Sequence, residues 1–178
     1  MCSSCAGKRE RVQDLAALAG KLHRLTNAAG VPLIINDHPE IARDLPVEGL
    51  HLGQDDLPIA QAREIVGAEC WIGKSTHSLA QATAAIEEGA DYIGFGPLFA
   101  TPTKPDYPPI GMAEIRRAHE PVQRPVFALG DQSLEPARDF ARWREASGDC
   151  IWASARPRCG GGNPEGEIIA PRRFAASK

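Results

Sequence analysis

Carboxylates, hydroxyls, an amide and a lysine stand at the ends of apolar runs along the middle of this chain. Asn36-Asp37 closes VPLIIND, Gly53-Gln54-Asp55-Asp56 follows EGLHL, and Lys74-Ser75-Thr76-His77 closes CWIGKST. Thr101-Pro102-Thr103-Lys104 follows ADYIGFGPLF, and Gly130 ends RPVFALG. Asp37 and Asp56 are hard oxygen donors of the kind Mg²⁺ accepts, commonly one or two carboxylates together with substrate phosphates. The same two side chains serve equally well as loop or helix caps. Ser75, Thr101 and Thr103 supply hydroxyl donors, and Lys104 adds a positive charge in the same loop. Such groups beside glycine-rich backbone are the parts of a phosphate site. They are also the parts of a plain solvated loop. His51 and His77 have no partner that spacing identifies, and a structural role is expected of both. No Ser-His-Asp or Cys-His arrangement offers a protein nucleophile.

Six apolar runs are strand candidates: residues 31–37, 48–53, 70–76, 90–99, 124–130 and 148–155. Their near-continuous apolar character suits strands covered on both faces, as in parallel sheets. Helical patterns lie between them. Val12, Leu15, Leu18, Leu22 and Leu25 form one stripe of a helix over residues 9–29, which Gly30 ends. Pro58 opens a short helix through Ile59, Ala62 and Ile65, closed by Gly67. Ser78 and Gln81 read as a capping box for a helix ended by Gly89. Residues 112–119 and 133–146 are further helix candidates. This alternation means a parallel α/β fold, whose functional groups gather at the C-terminal ends of the strands. A doubly wound sheet and a barrel both satisfy it.

At 178 residues, with 43% apolar and 24% charged residues, the chain reads as one soluble domain. A net charge of −3 gives no reason to expect nucleic acid or an anionic membrane as a partner. No apolar run approaches the roughly 20 residues that span a bilayer, and MCSSCAGKRER has no signal-peptide core. A cytoplasmic protein is expected. Five cysteines at irregular spacing do not form a disulfide framework, and Cys2 and Cys5 read as an incidental pair at a chain end. Residues 97–110 form a proline-rich loop, and residues 156–178, rich in Gly, Pro and Arg, read as a mobile tail following a domain over residues 1–155.

VPLIIND, HLGQDDLP, IGKSTHS and GADYIGFGPLFATPTKP, in that order and spacing, resemble the thiamine phosphate synthase family over roughly residues 8–155. The resemblance implies a (β/α)₈ TIM barrel and the joining of hydroxymethylpyrimidine diphosphate to thiazole phosphate with release of pyrophosphate. By the same resemblance Asp37 and Asp56 would hold Mg²⁺. Asn36, Ser75 and Lys104 would contact the pyrimidine diphosphate, with Ser75 and Lys104 assisting the chemistry. Thr101, Pro102, Thr103, Gly130, Ala153 and Ser154 would meet the thiazole phosphate. The partners implied are these small molecules, with self-association through open strand edges a further expectation.

The departures from the family pattern are specific. The family has two strands before the position of residue 31, the second ending in a QLREK-like motif. Counting back from Asn36 puts Lys8 on the lysine of that motif and Ser4 on its glutamine. The eight residues MCSSCAGK supply at most one short strand, so an incomplete, open barrel lacking most of its first two strands is expected. LGDQ at 129–132 puts Asp131 where the family has a phosphate-facing glycine, a like charge that would weaken phosphate binding. A thiazole tautomerase-like enzyme and a non-catalytic phosphate-binding remnant are the alternative readings.

Overall fold

The computed structural model describes residues 3–98, 108–122, 124–130 and 150–154. The chain divides into two compact units, residues 1–72 and 73–178.

The first unit opens with helix α1 (Ser3–Ala28), followed by strand β1 (Ile34–Asn36), helix α2 (Pro39–Asp44), strand β2 (Gly49–Leu52), helix α3 (Ile59–Val66) and the first residues of strand β3 (Trp71–Thr76). α1 begins earlier than its apolar period announces, because Ala6, Lys8, Arg9, Glu10 and Arg11 all favour helix without contributing to a stripe. It ends in a Schellman motif: Gly30 takes a φ of 67°, Gly30 N–H donates to Asn27 O at 3.1 Å, and Val31 N–H donates to Thr26 O at 2.8 Å. β1 and β2 pair in parallel, with Ile34 beside Gly49, Ile35 beside Leu50 and Asn36 beside His51. α2 crosses between them and packs on both strands and on α3. Ile35, Ile41, Leu50, Leu52, Ile59 and Ala62 are buried and form this unit's interior.

The expected leucine stripe of α1 is corrected here. Leu15, Leu18, Leu22 and Leu25 are exposed, while Ala19 is buried and Gly20 lies against Leu45. The helix turns inward the row Val12, Ala16, Ala19, His23 and Thr26, about a quarter turn round the axis from the leucines. Small residues let the helix approach closely, and His23 adds a polar tie, its Nε2 lying 3.7 Å from Glu48 Oε1. Glu48 Oε2 in turn accepts the Leu33 N–H at 2.7 Å. α2 is a second departure: Pro39–Asp44 forms a helix although its sequence has no apolar period. Pro39 at its first turn suits a helix start, and six residues are too few to show a stripe.

The second unit continues β3 and adds helix α4 (Leu79–Glu87), strand β4 (Tyr92–Phe95), helix α5 (Gly111–Val122), strand β5 (Val126–Gly130) and strand β6 (Cys150–Ser154). β3, β4, β5 and β6 pair in parallel in chain order. α4 packs on β4 and α5, and α5 packs on β5. Gly73 is demanded by a close approach: a Cβ there would lie 2.0 Å from Cζ of Tyr92, its partner in the ladder. The Tyr92 ring meets Phe127 edge to face, centroids 5.2 Å apart. On the opposite face of the strands Ile93, Phe95, Val126 and Ala128 are fully buried, and the helices bury Ala82, Ala85, Ile115, Ala118 and Val122. The described strands thus run parallel and alternate with helices, as expected of an α/β fold. The helix expected over 133–146 and the tail over 156–178 lie outside the described residues. No helix among them is long and apolar enough to cross a membrane.

Candidate active site

In a parallel sheet the C-terminal strand ends share one edge, and each unit brings part of the expected set to such an edge. In the first unit Asn36 is the last residue of β1 and Asp37 follows with a φ of 64°, a left-handed conformation uncommon outside glycine that Asn and Asp tolerate best. Its main-chain N–H donates to His51 O at 2.9 Å, which fixes the turn against β2. β2 ends at Leu52, and the next turn folds back on itself. Gly53 N–H donates to Asp56 Oδ2 at 2.6 Å, so the carboxylate of Asp56 is drawn to the end of its own strand. Asp37 and Asp56 therefore follow adjacent parallel strands at the same end. Asn36 and Asp37 are exposed there and Asp56 is partly so.

These are hard oxygen donors, the class Mg²⁺ selects, and the donor set fits that ion. Among the described residues no group of three or more His, Cys, Asp or Glu side chains is placed to hold a metal by itself.

In the second unit Ser75 lies near the end of β3, beside Gly94 in the ladder and on the same strand face as Gly73. Thr76, wholly buried, donates its Oγ1–H to Gly94 O at 2.9 Å. His77 follows, its Nδ1 hydrogen-bonded to Gly96 O. Gln81 Oε1 accepts the His77 N–H at 2.7 Å, while the Gln81 N–H donates to Ser78 Oγ at 3.2 Å. The expected capping box is thus present in part: its glutamine reaches the residue before the cap instead of the cap itself. Gly130 and Ser154 are partners at the ends of β5 and β6, with Leu129 beside Ala153 one step earlier.

The resemblance implies a strand-end place for Lys8, and the structure corrects this: Lys8 lies within α1. Thr101, Pro102, Thr103, Lys104 and Asp131 lie outside the described residues. The residue that spacing failed to single out is His77, whose partner is distant in sequence. Its position between the end of an apolar run and a helix cap was the available signal.

Residues 7–148 match the family model described as thiamine monophosphate synthase. The chain is 41% identical over 138 residues to a thiamine-phosphate synthase of Chloroflexus aurantiacus, covering 77% of this chain and 62% of that protein. It is 43% identical over 113 residues to the thiamine-phosphate synthase of Gloeobacter violaceus, covering 64% of this chain and 33% of that one. Among solved structures, a thiamine phosphate pyrophosphorylase from Pyrococcus furiosus superposes with a TM-score of 0.68 at 31% identity, over 80% of this chain and 66% of that one. The chain spans between 33% and 62% of the length of these two sequence relatives.

Proposed function

This chain belongs to the thiamine monophosphate synthase family, and from that premise we propose that it couples hydroxymethylpyrimidine diphosphate to thiazole phosphate, releasing pyrophosphate and forming thiamine phosphate. The observation that carries the reading is the pairing of Asp37 and Asp56 after adjacent parallel strands, with Asn36 beside them. Two carboxylates and a neutral amide suit a diphosphate that arrives with a divalent cation. In this reading the strands belong to a (β/α)₈ barrel and the protein works in the cytoplasm.

Asp37 and Asp56 would hold Mg²⁺, whose chemistry is to neutralise charge on the departing pyrophosphate. The left-handed turn at Asp37 sets where its backbone leaves β1, and the Gly53 N–H holds the Asp56 carboxylate before substrate arrives, which lessens the reorganisation needed there. Asn36 and Ser75 contribute neutral donors to the pyrimidine diphosphate. Lys104 places a positive charge at the leaving group, where negative charge grows as the bond to carbon breaks. The thiazole nitrogen then attacks that carbon, so the protein supplies no nucleophile. Thr101, Pro102, Thr103, Gly130, Ala153 and Ser154 would hold the thiazole phosphate through hydroxyls and backbone N–H groups, and Asp131 would weaken that grip by like charge.

The test is direct. The purified chain is given both substrates and Mg²⁺, and thiamine phosphate and pyrophosphate are measured. Equal amounts of the two products are expected, with Lys104→Ala lowering kcat/KM about 10²–10³-fold while the fold is retained. Absence of thiamine phosphate with the wild-type chain, or unchanged kinetics in Lys104→Ala, overturns the reading.

A further inference from the structure

The chain leaves β4 through Gly96-Pro97-Leu98, and this stub leads on to Thr101–Lys104. Main-chain bonds hold it from three directions. Gly96 N–H donates to Thr76 O at 3.1 Å, Leu98 N–H donates to Leu129 O at 2.8 Å, and Pro97 O accepts the Ile110 N–H at 2.9 Å. Backbone groups of this kind are available to any sequence. The one side-chain tie to the stub among the bonds described is the ring of His77 on Gly96 O.

A carbonyl oxygen can only accept, so Nδ1 of His77 must carry the proton. The ring therefore donates, and the Gly96 residue is gripped at both ends: its N–H by Thr76 O and its C=O by His77. His77 is itself anchored, because its N–H is taken by Gln81 Oε1 in the first turn of α4. The contact thus joins the end of β3, which carries Ser75, to the start of the segment after β4.

We propose that His77 is a positioning residue: its Nδ1–H ties the end of β3 to Gly96 and so sets Ser75 and the Gly96–Leu98 stub in register for the diphosphate substrate. The role of Ser75 here rests on the function proposed above. His77 itself touches no substrate in this scheme. A displacement of about 1 Å in a group that orients substrate costs on the order of 10²-fold in rate. The tie therefore matters to catalysis more than one neutral hydrogen bond matters to stability.

Two measurements test this, and one of them does not involve activity. In the wild-type protein with ¹⁵N-labelled histidine, above neutral pH, long-range ¹⁵N–¹H spectra are expected to show His77 as the Nδ1–H tautomer. An Nε2–H ring overturns the proposal whatever the enzyme does. Kinetics supply the second arm. His77→Asn keeps a donor N–H near the Nδ1 position, and His77→Leu keeps bulk without a donor. His77→Leu is expected to lower kcat/KM for the pyrimidine diphosphate about 10²-fold, with His77→Asn recovering most of the loss. Equal activity in the leucine variant, or an asparagine variant as impaired as a folded leucine variant, overturns the positioning role. If the leucine variant fails to fold, the asparagine variant decides: near wild-type kcat/KM supports the role, and a loss of about 10²-fold with an unchanged melting temperature overturns it. A wild-type protein that makes no thiamine phosphate overturns the proposed function, and the tautomer measurement still judges the tie.

Discussion

Helices α1 and α5 carry apolar residues at the same spacing and end with opposite burial. In α1 the row is Leu15, Leu18 and Leu22, with exposures of 39%, 52% and 41%. In α5 it is Ile115, Ala118 and Val122, at 0%, 0% and 2%. The α1 row is the more hydrophobic of the two, so side-chain character does not explain the difference. α5 lies on β5 and against α4, and its stripe is the face those elements cover. α1 meets its own unit through alanines, a glycine and His23, and its leucines stay outside that contact. An apolar stripe states which face favours burial. It does not supply the surface that buries it.

The largest expected effect is on the covered helix. Ile115→Ala removes a fully buried side chain and is expected to cost about 2–5 kcal/mol. Leu18→Ala, at the matching place in α1, should stay within about 0.5 kcal/mol. Urea unfolding of both variants decides the matter, and equal costs would break the comparison. A pair of glycines sharpens it at smaller amplitude. In Gly73→Ala the new methyl meets the Tyr92 ring, which cannot swing away without losing its contact with Phe127, and a loss of about 1–3 kcal/mol is expected. Gly20→Ala in α1 should act in the opposite sense. Its nearest neighbour, Leu45 Cδ2, would be at an ordinary 3.8 Å, and replacing a mid-helix glycine gains about 0.5–1 kcal/mol. Thermal melts of the two variants moving in opposite directions would confirm the contrast. Ser78→Ala removes the oxygen that accepts the Gln81 N–H and should cost about 1 kcal/mol, read as a lower melting temperature. The smallest effect belongs to Leu25→Lys. That residue is 69% exposed, so stability in urea unfolding should hold within about 0.5 kcal/mol.

The sequence by itself determined what is local. Six apolar runs became six strands within a few residues of their expected bounds, because short runs rich in branched and aromatic residues, bounded by turn formers, suit a buried pleated surface. Gly30 ended α1, and Ser78 capped α4, through bonds that close within a few residues. Asn36, Asp37 and Asp56 fell at strand ends because parallel strands joined by helices put those positions at the same edge. Tertiary structure alone decided the rest. α2 is too short to show a period, and the strands on either side of it give it a surface to cover. Lys8 entered α1 because good helix formers extend a helix without marking a face. The leucines of α1 turned outward because close approach favoured the alanine row. His77 found Gly96 across the strand ladder, a partner 19 positions away that no spacing rule connects. Caps, turns and strand preference close over a few residues and can be read in order. Burial and the pairing of polar groups depend on which distant surfaces meet, and folding alone brings those together.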